Sequence, residues 1–253
     1  MAKISVCIIS FNEEKKIEDC LKSVKDIADE IIVVDSNSTD NTVAIAKKFT
    51  DKIILQKFLG FIEQKNFARE QAENDWVLSL DCDERLSSEL QNAILSIKDS
   101  IDEADAYQMS RKTFYVYRWL NHCWYPDLKI RLFNKNTAYW GGTNPHDHIV
   151  TSGSNIKRLS GDIYHYSFDS ISEHLKTIDK FTEIGADELI RKNKSFNVFS
   201  PLTHATWTFV KLYFIKLGFL DGFAGLVVSV LSYMHVFIKY SKAIIKRKQN
   251  DSK

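Results

Sequence analysis

Asp81-Cys82-Asp83 stands directly after the apolar run WVLSL, residues 76–80. Paired carboxylates suit a reaction in which negative charge builds on a departing diphosphate. Mg²⁺ or Mn²⁺ clamps such charge, and these hard ions take carboxylate, phosphate and water oxygens. On an extended segment residues i and i+2 project to one side, so Asp81 and Asp83 could meet one ion or the ribose beside it. A lone D-x-D is as readily a pair of solvated turn acids; after a buried strand in an α/β unit, the metal reading gains. Asn12 and Asp35 follow apolar runs of their own, KISVCIIS (3–10) and IIVVD (31–35).

These runs are short, continuous and rich in β-branched residues, as buried parallel strands are. Lys52–Leu55 makes a third strand and WVLSL a fourth. Between them fall helical patterns: Ile17, Leu21 and Val24 form one stripe, Val43, Ala46 and Phe49 another, and residues 61–73 a third helix. Asn12 is placed to cap the first of these. The alternation predicts a parallel sheet with helices on both faces. Ligands of such sheets collect at the carboxyl ends of the strands, where Asn12, Asp35, Asp81 and Asp83 converge. Beyond it, KIRLF (129–133) and DIYHYSF (162–168) read as strands. A helix capped by Ser172 runs to about Arg191, with Leu175, Ile178, Phe181 and Ile184 on its apolar face.

Composition removes several classes. The 253 residues carry a net charge of +1, which gives no reason to expect nucleic acid. The first of nine glycines is Gly60, so the opening units hold neither G-x-G-x-x-G nor a P-loop. Cys7, Cys20, Cys82 and Cys123 form no C-x-x-C pair, which argues against structural zinc and fits a reducing compartment. A strand begins almost at residue 1, with no apolar leader, so export by a signal peptide is not expected.

In order and spacing, SVCIISFNEE, IIVVDSNSTDNT, QKNFAREQAENDWVLSLDCDE, KIRLFNKN and NPHDHI resemble family 2 glycosyltransferases of GT-A fold. They are most similar to the lipopolysaccharide-core β-glucosyltransferase subgroup. The resemblance implies an α/β fold, a GT-A mixed sheet flanked by helices with a C-terminal helical extension. It sets a catalytic domain over 1–195 and a membrane-associating extension over 196–253. Ser10, Asn12 and Glu13 would line the base and ribose pocket, with Asp35 touching the base. Lys65-Asn66 matches a basic-Asn pair that serves the diphosphate, with Lys where Arg is more usual; a point charge cannot make the two-pronged contact. Asp81 would hold ribose or metal, Asp83 metal, and His165 is a candidate third ligand. Arg131 could clamp the donor phosphate or the acceptor, or be a strand-edge surface residue. Asn12 could equally be only a cap, and Lys65 a solvated helix residue.

Inverting sugar transfer needs a carboxylate to take the acceptor's proton. The subgroup has His-Glu where this chain has His146-Asp147, so the resemblance makes Asp147 the base, one methylene shorter. His146 and His148 are further candidates. The Q-x-x-R-W of processive members fails, since Tyr115 precedes Arg118-Trp119 in place of Gln, and a single addition is expected. The implied partners are a UDP-sugar, UDP-glucose first, and a glycolipid or lipopolysaccharide-core acceptor. The implied cofactor is Mg²⁺ or Mn²⁺. Alternatives are a polyprenyl-phosphate acceptor, a sugar-nucleotide pyrophosphorylase, or a non-catalytic membrane-docking module.

From Trp207 onward eight basic residues face two acids, a balance of +6. Phe223–Ile238 runs 16 residues without a charge, short of the roughly 20 that span a bilayer. The tail reads as an interfacial helix pair with its Lys/Arg end toward anionic headgroups. A helical subdomain packed on the core, or a dimer partner, is the alternative. A location peripheral or monotopic at the cytoplasmic face of the inner membrane follows.

Overall fold

The computed structural model describes residues 1–143 and 146–251. Asn144 and Pro145 of the NPHDHI segment, the side chain of His146 and Lys253 of the basic tail lie outside them.

Strand β1 (Ile4–Ser10) is flanked by β2 (Glu30–Asp35) on one side and β4 (Trp76–Asp81) on the other, both parallel to it. β3 (Ile53–Leu55) extends the parallel part beyond β2. The apolar runs alternate between faces. Ile4, Val6 and Ile8 pack with Ile17, Cys20, Leu21 and Val24 of α1 (Ile17–Val24) and with Leu90 and Ile94 of α4 (Ser88–Ile97). Cys7, Ile32, Val34 and Val77 pack on the opposite face with Ala68 of α3 (Phe61–Glu70). Both faces are therefore dry, which is why these strands carry no polar alternation. The second expected helix is the short α2 (Thr42–Ala46).

At β4 the sheet changes character. β5 is Glu84–Leu86, β6 Ala106–Tyr115, β7 Arg118–Trp119, β8 Asp127–Asn134 and β11 Ile156–Phe168. The order is β3-β2-β1-β4-β8-β6-β11-β5, and β8 runs antiparallel to both β4 and β6. β9 (Ala138–Thr143) and β10 (His146–Thr151) form a separate antiparallel pair. The sheet is thus mixed, as the resemblance implied, and not wholly parallel as alternation alone suggested. Antiparallel pairs need no crossover helix, so helical periodicity cannot announce them.

Two compact units emerge. One holds Met1–Arg111 and Asp127–His165; the other holds Lys112–Pro126 and Tyr166–Lys253. In the second unit, α5 (Ile171–Arg191), α6 (Ser200–Val210) and α7 (Gly222–Asp251) pack together. Ser170, not Ser172, caps α5, its hydroxyl accepting from Glu173 N at 3.1 Å. The buried stripe of α5 is His174, Ile178, Thr182, Gly185 and Ala186. Leu175, expected on it, is exposed. The small residues win because α7 approaches closely: a Cβ on Gly185 would stand 2.8 Å from Lys239 Cδ. Tyr115, the residue that broke the processive motif, is buried and reaches His174 Nδ1 at 3.1 Å.

The segment Gly218–Asn250 is long and apolar enough to cross a membrane by length and composition, its most apolar 18-residue window having a mean hydropathy of 1.5 with one third of that window buried. It exceeds the uncharged stretch because α7 continues through Lys239–Lys248 without a breaker. Between α6 and α7 the chain makes a π-helical turn (Lys211–Ile215) and a 3₁₀ turn (Gly218–Asp221). Asp221 is wholly buried and accepts from the main-chain N–H groups of Asn121 at 2.8 Å, His122 at 3.0 Å and Cys123 at 3.0 Å. Burial raises the Asp221 carboxyl, but His122 and those N–H donors together hold it below its usual value.

Asp221→Ala would orphan three donors and is expected to cost about 3 kcal/mol or more in urea unfolding followed by tryptophan fluorescence. Because the folded-state value is depressed, this contribution is full above about pH 4 and is lost as pH falls below it; the variant's deficit should therefore shrink on acidification.

Candidate functional site

The strand ends meet as expected. Ser10 lies opposite Asp35, and Ile9 opposite Asp81, so the two acids flank the carboxyl end of β1. Strands two apart are about 10 Å from each other, a span that one nucleotide covers.

On the β2 side Asp35 is fully buried. Its carboxylate accepts from Ser10 Oγ at 2.8 Å, Ser38 N at 2.7 Å and Ser38 Oγ at 2.6 Å. Asn12 is not a helix cap. It has φ 53°, where Asn is tolerated, and its side-chain oxygen accepts from Thr39 N at 2.8 Å. The main chain of Glu13 donates to Thr42 Oγ1 at 2.7 Å. Ser10, Asn12, Glu13 and Asp35 are thus brought together, tying the β1 loop to the β2 loop and leaving Asn12, Asn37 and Thr39 exposed. α1 begins at Ile17 and has no side-chain cap.

On the β4 side lies a buried charge cluster. Lys65 is 4% exposed and Arg131 3%, so neither is the solvated residue that sequence left open. Lys65 Nζ stands 2.8 Å from Asp147 Oδ2 and 3.1 Å from Asp81 Oδ1. Arg131 Nη2 lies 2.6 Å from Glu84 Oε1 and 3.1 Å from Asp81 Oδ2. Both cations sit over the Trp140 ring, Lys65 at 4.4 Å and Arg131 at 5.2 Å from its centroid. Burial acts to raise the Asp81 carboxyl, but Lys65 and Arg131 overcome it and hold the group well below the usual carboxylate range. Burial likewise lowers Arg131, and Glu84, Asp81 and Asp147 reverse this, so it stays protonated. Among the described residues Arg131 Nε and Nη1 and Trp140 Nε1 are buried without a hydrogen-bond partner. Buried donors of this kind mark a place where an acceptor is wanted.

Asn66 is placed differently from its neighbour. Its amide donates to Trp140 O at 2.7 Å and accepts from Trp140 N at 2.9 Å. It fixes the strand that carries the tryptophan.

Among the described residues Asp81 and Asp83 share no ion-pair partner. β4 ends at Asp81 and the chain turns into β5, so the extended geometry assumed for i and i+2 is broken. Asp83 Oδ2 faces His165 Nε2 at 3.3 Å. Burial raises the Asp83 carboxyl, and His165 brings it to a net lowering. Among the described residues no three His, Cys, Asp or Glu side chains are grouped to hold a metal ion. A divalent ion that shares its shell with substrate phosphates and water needs only one or two protein ligands. The carboxylate of Asp83 and the imidazole of His165 fit that donor set; Asp81, already against two cations, does not complete a third position.

Glu84, Trp140 and Arg111 are the residues that sequence reading passed over. Glu84 is fully buried, accepts from Asp81 N at 3.1 Å, and is 3.4 Å from Arg111 Nη1. Its place directly after the D-x-D was the available signal.

A mixed sheet with a polar rim at the β1, β2 and β4 ends, and cations beside a D-x-D, defines a GT-A type nucleotide-sugar transferase fold. Residues 5–151 match the model of Glycosyl transferase family 2. An uncharacterised glycosyltransferase of Rickettsia typhi is 38% identical over 259 residues, covering 96% of this chain and 87% of its own. The lipopolysaccharide core biosynthesis glycosyltransferase LpsC of Rhizobium meliloti is 24% identical over 94% of this chain and 91% of its own. Among solved structures, TarS of S. aureus superposes with a TM-score of 0.52 at 19% identity, covering 87% of this chain and 46% of TarS. The chain belongs to glycosyl transferase family 2.

Glu84→Ala would leave Arg131 short of its closest counter-charge and is expected to cost about 3–5 kcal/mol in urea unfolding, with Glu84→Gln losing less. Asp81 stabilises the fold above about pH 4 and ceases to as pH falls through its depressed value. Asp81→Asn should accordingly flatten the acid limb of stability against pH.

Proposed function

We propose that this family 2 enzyme transfers a hexose, glucose from UDP-glucose first among candidates, to a membrane-held glycolipid or lipopolysaccharide-core acceptor, with inversion and one addition per acceptor. The observation that carries the reading is the convergence of Lys65, Arg131, Asp81 and Asp147 at the strand end beside the Asp83–His165 pair. The relative LpsC, named for lipopolysaccharide core biosynthesis, supports the acceptor class. The catalytic part is assigned to 1–195 and a membrane-associating extension to 196–253, at the cytoplasmic face of the inner membrane.

In this reading the nucleoside sits over the exposed rim built by Asn12, Glu13 and the 36–39 loop, with Ser10 and Asp35 holding that loop from behind. Asp83 and His165 hold Mg²⁺ or Mn²⁺, which when bound neutralises charge on the diphosphate. Lys65 and Arg131 supply fixed positive charge, and Arg131 Nε and Nη1, which have no hydrogen-bond partner among the described residues, await phosphate oxygens. The acceptor hydroxyl oxygen bonds to the anomeric carbon as the bond from that carbon to the diphosphate oxygen breaks. The hydroxyl proton passes to Asp147, and the electron pair leaves with UDP. Lys65 on Oδ2 of Asp147 fixes the rotamer of the base.

Donor turnover without acceptor tests the reading. Metal-dependent release of UDP from UDP-hexose is expected, and Asp83→Ala should abolish it. Asp147→Asn should lower kcat for transfer by about 10²–10⁴ while leaving donor KM nearly unchanged. Pyrophosphate release from UTP and a sugar phosphate would instead make the enzyme a pyrophosphorylase, and no turnover at all would leave a docking module.

A further inference from the structure

The basic end of α7 is not available in the way its sequence suggests. Lys242 Nζ pairs with Asp179 Oδ1 at 2.9 Å and Glu183 Oε2 at 3.2 Å. Lys246 Nζ pairs with Glu183 Oε1 and Asp187 Oδ1, both at 2.5 Å. Arg247 lies over the Phe196 ring at 4.2 Å, and burial lowers Lys239. These cations hold α7 against α5 and residue 196, so they are engaged within the protein as well as being a basic surface.

The unpartnered surface lies at the other end. Phe214, Ile215, Leu217, Phe219, Leu220 and Phe223 are each between 44% and 68% exposed. They occupy the corner where α6 passes through the π-helical and 3₁₀ turns into α7. The corner is built rather than loose. Asp221 is tied to the 121–123 main chain, and a Cβ on Gly225 would fall 1.9 Å from Gly218 O, so α7 is seated directly on the turn. Leu217 adopts φ 56°, an unfavourable conformation for a leucine. A rigid corner that turns six large apolar side chains outward is an interaction surface.

Charge selects the partner. From Lys192 to Asn250 the one acid is Asp221, and it is buried. Lys211 opens the corner and Lys216 lies within it, and Trp207 is exposed on α6 just before it. Apolar and aromatic groups with cations and no exposed acid match an anionic bilayer interface, where rings enter the acyl boundary and lysines meet phosphates.

We propose that the α6–α7 corner, residues 211–223, dips into an anionic lipid surface as a monotopic anchor, apolar tip first. The proposal deepens the reading of a membrane-held acceptor and rests on it for its purpose, though not for its test. Full-length protein is mixed with phosphatidylcholine vesicles, with and without phosphatidylglycerol, and floated. Wild type should float with the anionic vesicles, and the exposed triple change Phe214→Ser, Phe219→Ser, Phe223→Ser should bind at least about tenfold more weakly. Lys248→Gln, at the opposite end of α7, should bind as wild type. UDP-hexose hydrolysis by the triple variant should match wild type, so lost flotation with intact hydrolysis supports the anchor. Unchanged flotation of the triple variant, as a spanning α7 or a basic-end contact would give, overturns the proposal. So does a lipid-free dimer that the triple variant dissociates, since the corner would then face a second copy. Loss of hydrolysis in wild type would instead sink the transferase reading and leave the anchor standing.

Discussion

Two cations buried at one strand end set the terms for the first unit. A lysine or arginine withdrawn from water costs several kcal/mol unless counter-charges and hydrogen bonds surround it. Lys65 arrives on α3 and Arg131 on β8, and their carboxylates come from β4, β5 and β10. Charge balance therefore ties together segments far apart in sequence, across the line where the sheet passes from parallel to antiparallel. Trp140 seats both cations, and Asn66 holds the main chain of that tryptophan at both N–H and C=O. A flat π face beneath two positive charges adds attraction without adding a further charge to bury.

The half of the fold that obeys one pattern could be read directly. β1, β2 and β4 are continuous apolar runs because helices cover both faces, and their ends put Ser10, Asp35 and Asp81 in register without further information. Reading stops where partners are non-local. Neither β9 nor β10 is buried on both faces, and Glu84 looks like one more acid in a turn until Arg131 meets it 47 residues on in the chain. Asn12 shows how a local rule can be outbid. Its type and position suit a cap, yet its side-chain oxygen accepts from Thr39 N and Thr39 Oγ1 and so ties two adjacent loops instead.

The C-terminal helices display the same limit with charge. Counting lysines gave a strongly basic tail, but counting cannot tell which lysines have an acid on a neighbouring helix. Asp179, Glu183 and Asp187 recur at i, i+4 and i+8 on α5, and Lys242 and Lys246 recur at i and i+4 on α7. Two ladders of equal pitch zip together. Exposed pairs of this sort add only about 0.2–1 kcal/mol each, so they steer register more than they stabilise it. The tight approach at Gly185 and the buried stripe from Ile178 to Ala186 carry the packing.

The two aspartates of the D-x-D illustrate why a motif does not fix a role. Asp81 is held by two cations at 3.1 Å, each attraction worth roughly 5 kcal/mol at an effective dielectric near 20 before desolvation is subtracted. Bringing a dication to that carboxylate would add repulsion against both Lys65 and Arg131. Asp83 faces a single histidine at 3.3 Å, whose neutral form is itself a ligand. The carboxylate with fewer competing cations is the cheaper one to share with an ion, and the turn after β4 is what separates the pair. In this chain Asp81 belongs with the fixed charges of the first unit, and Asp83 is the acid of the pair with fewer of them beside it.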